Sequence, residues 1–142
     1  MAIESLSLSN LCTDMGAILN EKGHKKDALL SFSRALFIRE ELLLLPDDSE
    51  VANALSNCAI AQLGIGTKPD VALTWLLRFL EIDESKPKEI KRKTLHLGCF
   101  NLCFAYKALG EWGMFTKHLT EATEHVLDEF GENSRYLVMC VS

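Results

Sequence analysis

Apolar and small side chains recur at helical spacing along almost the whole chain, and no segment alternates strictly between apolar and polar positions as a half-buried strand would. Glycine and proline stand at the ends of these periodic segments, where they end or start helices. The pattern predicts an all-α chain whose short connections make neighbouring helices antiparallel. The predicted helices cover about residues 4–22, 25–45, 49–64, 69–83, 87–109, 111–130 and 134–141.

An internal repeat organises these helices. Three glycines, spaced 43 and 44 residues apart, each close the first helix of a predicted pair, and a polar residue stands nine positions before each of them. The glycines are Gly23, Gly66 and Gly110, and the polar residues are Asp14, Asn57 and Asn101. The second helices keep nearly the same period at small or apolar positions, namely Ala28, Phe32 and Ala35, then Ala72, Leu76 and Phe79, then Phe115, Leu119 and Ala122.

The repeat predicts one domain over residues 1–142, built as a solenoid in which each helix pair buries its apolar surface on its neighbours. Small residues are expected where the helices cross closely, as at Gly16, Ala28, Ala35 and Ala59. The repeats cover about residues 9–45, 49–84 and 87–130, and residues 131–142 form a capping helix or begin a further repeat.

The first unit resembles the tetratricopeptide repeat. It contains Met15-Gly16-x2-Leu19 followed by Ala28-x3-Phe32-x2-Ala35, which is close to the Leu-Gly-x2-Tyr and Ala-x3-Phe motifs of that family. The third unit is similar again, with Asn101-Leu102-Cys103-x2-Tyr106 followed by Leu109-Gly110. The resemblance covers about residues 9–140.

Because the period exceeds the usual tetratricopeptide length of about 34 residues, the chain looks most like the kinesin-light-chain type, which has longer helices. Two stretches of the sequence are similar to that type. One is residues 35–41 followed by Pro46-Asp47 and then by residues 54–59, and the other is residues 130–133. The chain departs from the pattern in two places. One extra residue separates Gly66 from Ala72, and a bulky Phe115 stands where a small alanine is usual.

The resemblance implies a right-handed superhelix whose first helices line a concave groove, with the polar residue before each glycine pointing into it. An asparagine at that position can donate to and accept from the backbone of an extended peptide, whereas Asp14 lacks the amide donors. Together with neighbouring helical positions, the predicted peptide-binding residues are Asp14, Asn53, Asn57, Ile60, Phe100, Asn101, Phe104 and Lys107.

The apolar anchors of a bound peptide are predicted over Ile60, Phe100 and Phe104. Aromatic residues at helical spacing also occur in cores, so Phe100 and Phe104 packing under the last predicted helix is the alternative. Asn57 and Asn101 likewise either contact a ligand or form hydrogen bonds between packed helices.

Composition narrows the class of protein. The formal net charge of −5 argues against nucleic-acid binding. No apolar run approaches the ~20 residues of a membrane helix, and the N-terminus lacks the basic start and apolar run of a signal peptide. Most of the five cysteines lie within helical apolar patterns, as reduced core residues do, which predicts a cytoplasmic protein.

The sequence gives no clear indication of a catalytic or metal-binding site. No acid–base constellation, nucleophile grouping or phosphate-binding glycine loop stands out. His96, Cys99 and Cys103 share one helical face, but no fourth ligand is apparent, so neither a metal nor a cofactor is predicted.

These observations predict a non-enzymatic module or adaptor that binds a peptide or helix of another protein in its groove. Two alternatives stay open. One is a regulatory or oligomerising array of a larger signalling protein with its groove filled internally. The other is a helical accessory domain of an enzyme, similar to the repeat-like C-terminal region of some SET-domain methyltransferases. The apolar segment 136–141 also predicts self-association through the C-terminal edge, or continuation into a longer array.

Overall fold

The computed structural model describes residues 2–43, 49–84, 98 and 100–130, and every regular element within them is helical. The prediction of an all-α chain is therefore confirmed for these residues. The predicted helix 134–141, the apolar segment 136–141 and the first part of the predicted helix 87–109 lie outside the described residues. The helices are α1 (Ala2–Glu21), α2 (Lys25–Phe37), α3 (Ser49–Ile65), α4 (Pro69–Glu84), α5 (100–108) and α6 (Trp112–Phe130).

The three predicted repeat glycines end α1, α3 and α5 in the same way. Gly23, Gly66 and Gly110 have φ angles of 84°, 85° and 74°, the left-handed region that glycine adopts without a steric penalty. The amide of the residue after Gly23 donates to Leu19 O at 2.9 Å, and that of the residue after Gly110 donates to Tyr106 O at 2.9 Å. Both bonds satisfy a carbonyl that the helix end would otherwise leave without a donor.

Sequential helices pack on one another. α1 contacts α2, α2 contacts α3, and α3 contacts α4. Helices α5 and α6 join the same core through side chains that pack on α3 and α4. Helices α2 and α3 therefore each pack against both of their neighbours along the chain.

Within the described residues, the core includes three adjoining clusters of mainly small and aliphatic side chains. The first joins α2 to α3 through Ala28, Phe32, Cys58 and Ala61. The second joins α3 to α4 through Val51, Ala52, Leu55, Phe79 and Ile82. The third joins α3, α4 and α5 through Ala59, Ala72, Leu76, Leu102, Ala105 and Tyr106, with Met114 and Phe115 of α6 packed against it. The bulky Phe115 thus has a place in the core where a small residue was expected.

Gly16 allows a close approach of α1 to the Phe32 ring of α2. A Cβ added at Gly16 would lie 2.6 Å from both Cδ1 and Cε1 of Phe32, well inside van der Waals contact. Phe32 is itself buried, so its ring has little room to move away. The sequence prediction of a close crossing at Gly16 is confirmed, and the ring of Phe32 fills the space that the glycine leaves.

We expect Gly16→Ala to destabilise the protein by about 1–2 kcal/mol, because overpacking against Phe32 exceeds the gain in helix propensity. Gly113 in α6 is the matched control, since a Cβ there meets nothing within 4 Å. Gly113→Ala should leave stability unchanged or raise it by up to about 1 kcal/mol. Urea unfolding followed by circular dichroism measures both, and equal effects of the two substitutions would contradict the close crossing.

The second predicted helix ends differently from the prediction of 25–45. α2 ends at Phe37, and Ile38–Leu42 forms a π-helical turn closed by the Leu43 amide donating to Ile38 O at 2.9 Å. The turn carries Ile38 and Arg39, two consecutive residues that are both buried. Hydrophobic spacing cannot distinguish such a turn from an α-helix, because it occupies a single turn and the apolar positions around it still fit the helical period.

Arg39 is the largest fully buried side chain and is 1% exposed. Its Nε donates to Ser9 Oγ at 3.0 Å, and its Nη2 donates to Asn10 Oδ1 at 3.2 Å and Thr13 Oγ1 at 3.3 Å, all on α1. Its Nη1 donates to the Glu50 carbonyl of α3 at 2.9 Å, and Nη2 lies 3.4 Å from Glu50 Oε2. One guanidinium therefore connects the π-helical turn to both α1 and α3.

We expect Arg39→Ala to cost about 3 kcal/mol, because it removes five polar contacts and leaves the buried Ser9 hydroxyl and several part-buried acceptors without this donor. Arg34→Ala is the control, since Arg34 is an exposed arginine of the adjoining helix α2. That substitution should change the free energy of unfolding by less than about 0.5 kcal/mol. Chemical denaturation compares the two, and similar losses would show that the buried network contributes little.

The buried cysteines fit their predicted role in the core. Cys58 and Cys103 are buried and Cys12 is half-buried, and all three are free thiols. Burial raises the pKa of the Cys58 thiol to about 12, with a hydrogen bond to Ser33 opposing the shift and the charge of Glu40 adding to it. Cys58 therefore stays protonated at neutral pH and behaves as a small apolar residue.

The raised pKa gives a pH dependence of stability. The unfolded thiol releases its proton near pH 9, whereas the folded one holds it to about 12, so stability falls as pH rises through that window. From pH 8 to pH 10 the native chain should lose about 1–2 kcal/mol more than a Cys58→Ala variant, which lacks the group. Urea unfolding at pH 8, 9 and 10 measures the difference, and parallel curves for the two proteins would contradict the assignment.

Candidate functional site

A surface cavity of about 380 Å³ lies between α3 and α5, the first helices of the second and third units. Three residues from each helix form its walls. They are Ile60, Leu63 and Gly64 of α3, and Asn101, Phe104 and Ala108 of α5. The cavity therefore joins two units of the repeat at their first helices.

Two exposed apolar side chains dominate this cavity. Ile60 is 43% exposed and Phe104 is 54% exposed, which is high for residues of this size. They are 44 residues apart and so occupy equivalent positions of two units. On α5 the core-facing residues are Leu102, Ala105 and Tyr106, which leaves Phe104 on the outer surface. An apolar surface next to a polar wall is the usual form of a peptide or small-molecule site.

Asn101 supplies the polar wall. Its side chain is half-buried, and it forms no hydrogen bond with any residue that the structure describes. Asn57, the equivalent residue of α3, is also half-buried and has no such bond within the same residues. A carboxamide has donors and an acceptor on one flat group, so Asn101 can pair with both the N–H and the C=O of a ligand backbone.

The remaining predicted site residues fall into two groups. Asp14, Asn53 and Lys107 are exposed on α1, α3 and α5 and do not line this cavity. Phe100 is only 6% exposed, so it belongs to the buried side of α5 and cannot offer an anchor surface without moving. The structure thus brings together Ile60, Asn101 and Phe104 out of the predicted set.

Sequence reasoning did not single out Gly64 and Ala108. Both stand one helical turn beyond a predicted residue, Gly64 after Ile60 and Ala108 after Phe104. The i+4 spacing could have found them, because residues four apart share a helix face. Their small size keeps this end of the cavity wide. The Lys25 Nζ of α2 donates to Gly64 O at 3.2 Å, which places a positive charge beside the cavity.

Further cavities lie on the described surface. One of about 460 Å³ is lined by Leu8, Cys12, Ser33, Arg34, Phe37, Ile38 and Leu42. Another of about 410 Å³ is lined by Gly23, His24, Lys25, Lys26, Asp27, Gly64 and Ile65. Neither contains a residue of the predicted binding set.

Within the described residues, no group of histidine, cysteine and acidic side chains could hold a metal ion. His96 and Cys99 of the face considered above lie outside those residues. Across the same part of the chain, none of the helices combines the length and apolar character needed to cross a membrane.

Comparison with known proteins adds no relative. No protein-family model matches the chain, and no curated protein matches its sequence. The function therefore has to be argued from the residues and their geometry.

Proposed function

We propose that this chain is a protein-binding module that holds a peptide or helical segment of a partner in the cavity between α3 and α5. The observation that carries the proposal is the pairing of Ile60 and Phe104, two exposed apolar residues at equivalent positions of two units, with the half-buried amide of Asn101. Exposed side chains of this kind are costly in water and are characteristic of recognition surfaces.

The architecture that we propose for this function is a tetratricopeptide-like solenoid of antiparallel helix pairs. Three features support it, all found in the described residues. The glycines that close α1, α3 and α5 share a left-handed conformation and recur at 43 and 44 residues. The connections from α1 to α2 and from α3 to α4 are only a few residues long. Helices α1 to α4 each contact the next one along the chain, as stacked repeats do.

The chemistry of the cavity indicates the kind of ligand. An apolar side chain of the partner would lie between Ile60 and Phe104, where it removes apolar surface from water. Asn101 would bond the ligand backbone, which requires no particular ligand side chain. The Lys25 ammonium near Gly64 would favour an acidic group at that end of the ligand. A short apolar motif flanked by acidic residues is therefore the preferred partner sequence.

We expect random-peptide phage display against the full chain to enrich such motifs. Phe104→Ala should weaken a selected peptide by roughly 10- to 100-fold, because truncating a central aromatic anchor typically costs 1–3 kcal/mol. Asn101→Ala should weaken it by about 5- to 10-fold, the contribution of one backbone hydrogen-bond pair. Fluorescence anisotropy with the labelled peptide measures both.

Leu77→Ala is the control for this experiment. Leu77 is 43% exposed, as Ile60 is, but it lies on α4 and does not line the cavity. Peptide affinity should not change in this variant. If all three substitutions left binding intact, the peptide would bind elsewhere. If no peptide bound the folded chain, the cavity would not be an open binding site.

A further inference from the structure

Helix α1 presents an apolar stripe that no described element covers. The stripe consists of Leu8, Leu11, Met15 and Ile18, which are 50%, 55%, 50% and 53% exposed. Spacings of three, four and three residues place all four on one face of the helix. The face that packs on α2 is a different one and includes Ser9 and Gly16, which are both buried. Leu8 also borders the cavity of about 460 Å³ with residues of α2, whereas the rest of the stripe lies away from the α1–α2 contact.

The equivalent residues of the second and third units show what such a helix face packs against. Advancing the stripe by 43 residues gives Val51, Ala54, Cys58 and Ala61 of α3, which are all at most 1% exposed. In α3, Cys58 and Ala61 are covered by Ala28 and Phe32 of the preceding helix. Advancing Cys58 and Ala61 by 44 residues gives Leu102 and Ala105 of α5, which are buried with Ala72 and Leu76 of α4. In two units this face is thus covered by a helix, and in α1 the same face is open.

The stripe is also complementary to itself. Its order of spacings reads the same in both directions about Thr13. When two α1 helices meet antiparallel, Leu8 of one lies opposite Ile18 of the other, and Leu11 lies opposite Met15. An antiparallel pair therefore brings all eight apolar side chains together without a change of register.

Charges at the two ends of the stripe favour the same arrangement. Glu4 and Lys22 are both exposed, and each stands four residues outside the stripe on the same face. Antiparallel pairing places Glu4 of each copy beside Lys22 of the other, whereas parallel pairing would place like charges together. The ion pairs set orientation more than affinity, since exposed pairs contribute little free energy.

We propose that a second copy of this chain covers the stripe, through an antiparallel contact between the two α1 helices about a two-fold axis. Two-fold dimers are the commonest closed assemblies, and in them one self-complementary patch serves both subunits. The contact involves a single helix face, which is smaller than a standard stable interface. The dimer is accordingly reversible, with a dissociation constant on the order of 10 µM.

Sedimentation equilibrium of the full chain tests the proposal. The mass should rise with concentration from 15.9 kDa to about twice that value and then stop. Leu11→Glu should weaken the dimer at least ~100-fold, because two carboxylates would be buried near the two-fold axis. Leu77→Glu, an equally polar change at an exposed leucine of α4, should leave the dimer intact. Circular dichroism verifies that both variants keep their helix content.

Charge reversal distinguishes this dimer from other assemblies. Glu4→Lys alone and Lys22→Glu alone should each weaken dimerisation by roughly 3- to 10-fold, and the double variant should recover the original affinity. A monomer at every concentration would overturn the proposal. So would a mass that keeps rising beyond the dimer, which indicates head-to-tail stacking, or a dimer that Leu11→Glu does not weaken.

Discussion

The buried guanidinium of Arg39 sets the relative positions of the first three helices. A charge that is withdrawn from water needs acceptors around it, since an unpaired one would cost several kcal/mol. Here the acceptors come from Ser9, Asn10 and Thr13 on α1 and from Glu50 at the start of α3. Arg39 lies on the π-helical turn that follows α2. Its hydrogen bonds therefore fix the positions of α1 and α3 relative to this turn. Apolar contact alone would permit sliding, whereas directional bonds from one planar group do not.

The position of α3 in turn determines the shape of the cavity between α3 and α5. Small residues on α3, α4 and α5 let these helices approach closely, as Ala59, Ala72 and Ala105 do in their shared cluster. The Gln62 Nε2 donates to Thr67 O at 2.6 Å and so ties the end of α3 to the turn before α4. Because α3 and α5 are held in this core, Ile60 of α3 and Phe104 of α5 face the same cavity from opposite walls. The rigid core therefore arranges an exposed apolar surface that the core itself does not use.

Two of the open apolar surfaces in the described residues differ in character. The cavity between α3 and α5 is a recess between units, suited to a narrow ligand that enters it. Part of the stripe on α1 corresponds to positions that pack on α2 and α4 in the next two units, so it suits a helix more than a narrow ligand. In the solenoid that we propose, one repeated pattern of residues would account for both surfaces.

Much of this structure can be predicted from interactions between residues close together in the sequence. The helical class and the three repeat glycines follow from periodicity and from the left-handed backbone that only glycine adopts freely. Asn101 was predicted from the resemblance to the tetratricopeptide repeat, and helical spacing added Ile60 and Phe104; the structure places these three beside one cavity. The close crossing at Gly16 follows from side-chain size. These features depend on a few residues along the chain, so the sequence alone contains the information.

The burial of individual side chains and the π-helical turn depend on tertiary contacts. Phe100 and Phe104 share a helix face in sequence, yet Phe100 is buried and Phe104 is exposed, a difference that spacing along the helix does not reveal. A charged residue such as Arg39 is usually solvated, and its burial depends on acceptors 26 to 30 residues away. The π-helical turn that carries it is likewise invisible to periodicity. The sequence by itself determined which elements form and repeat, whereas only packing determined which of their faces water still reaches.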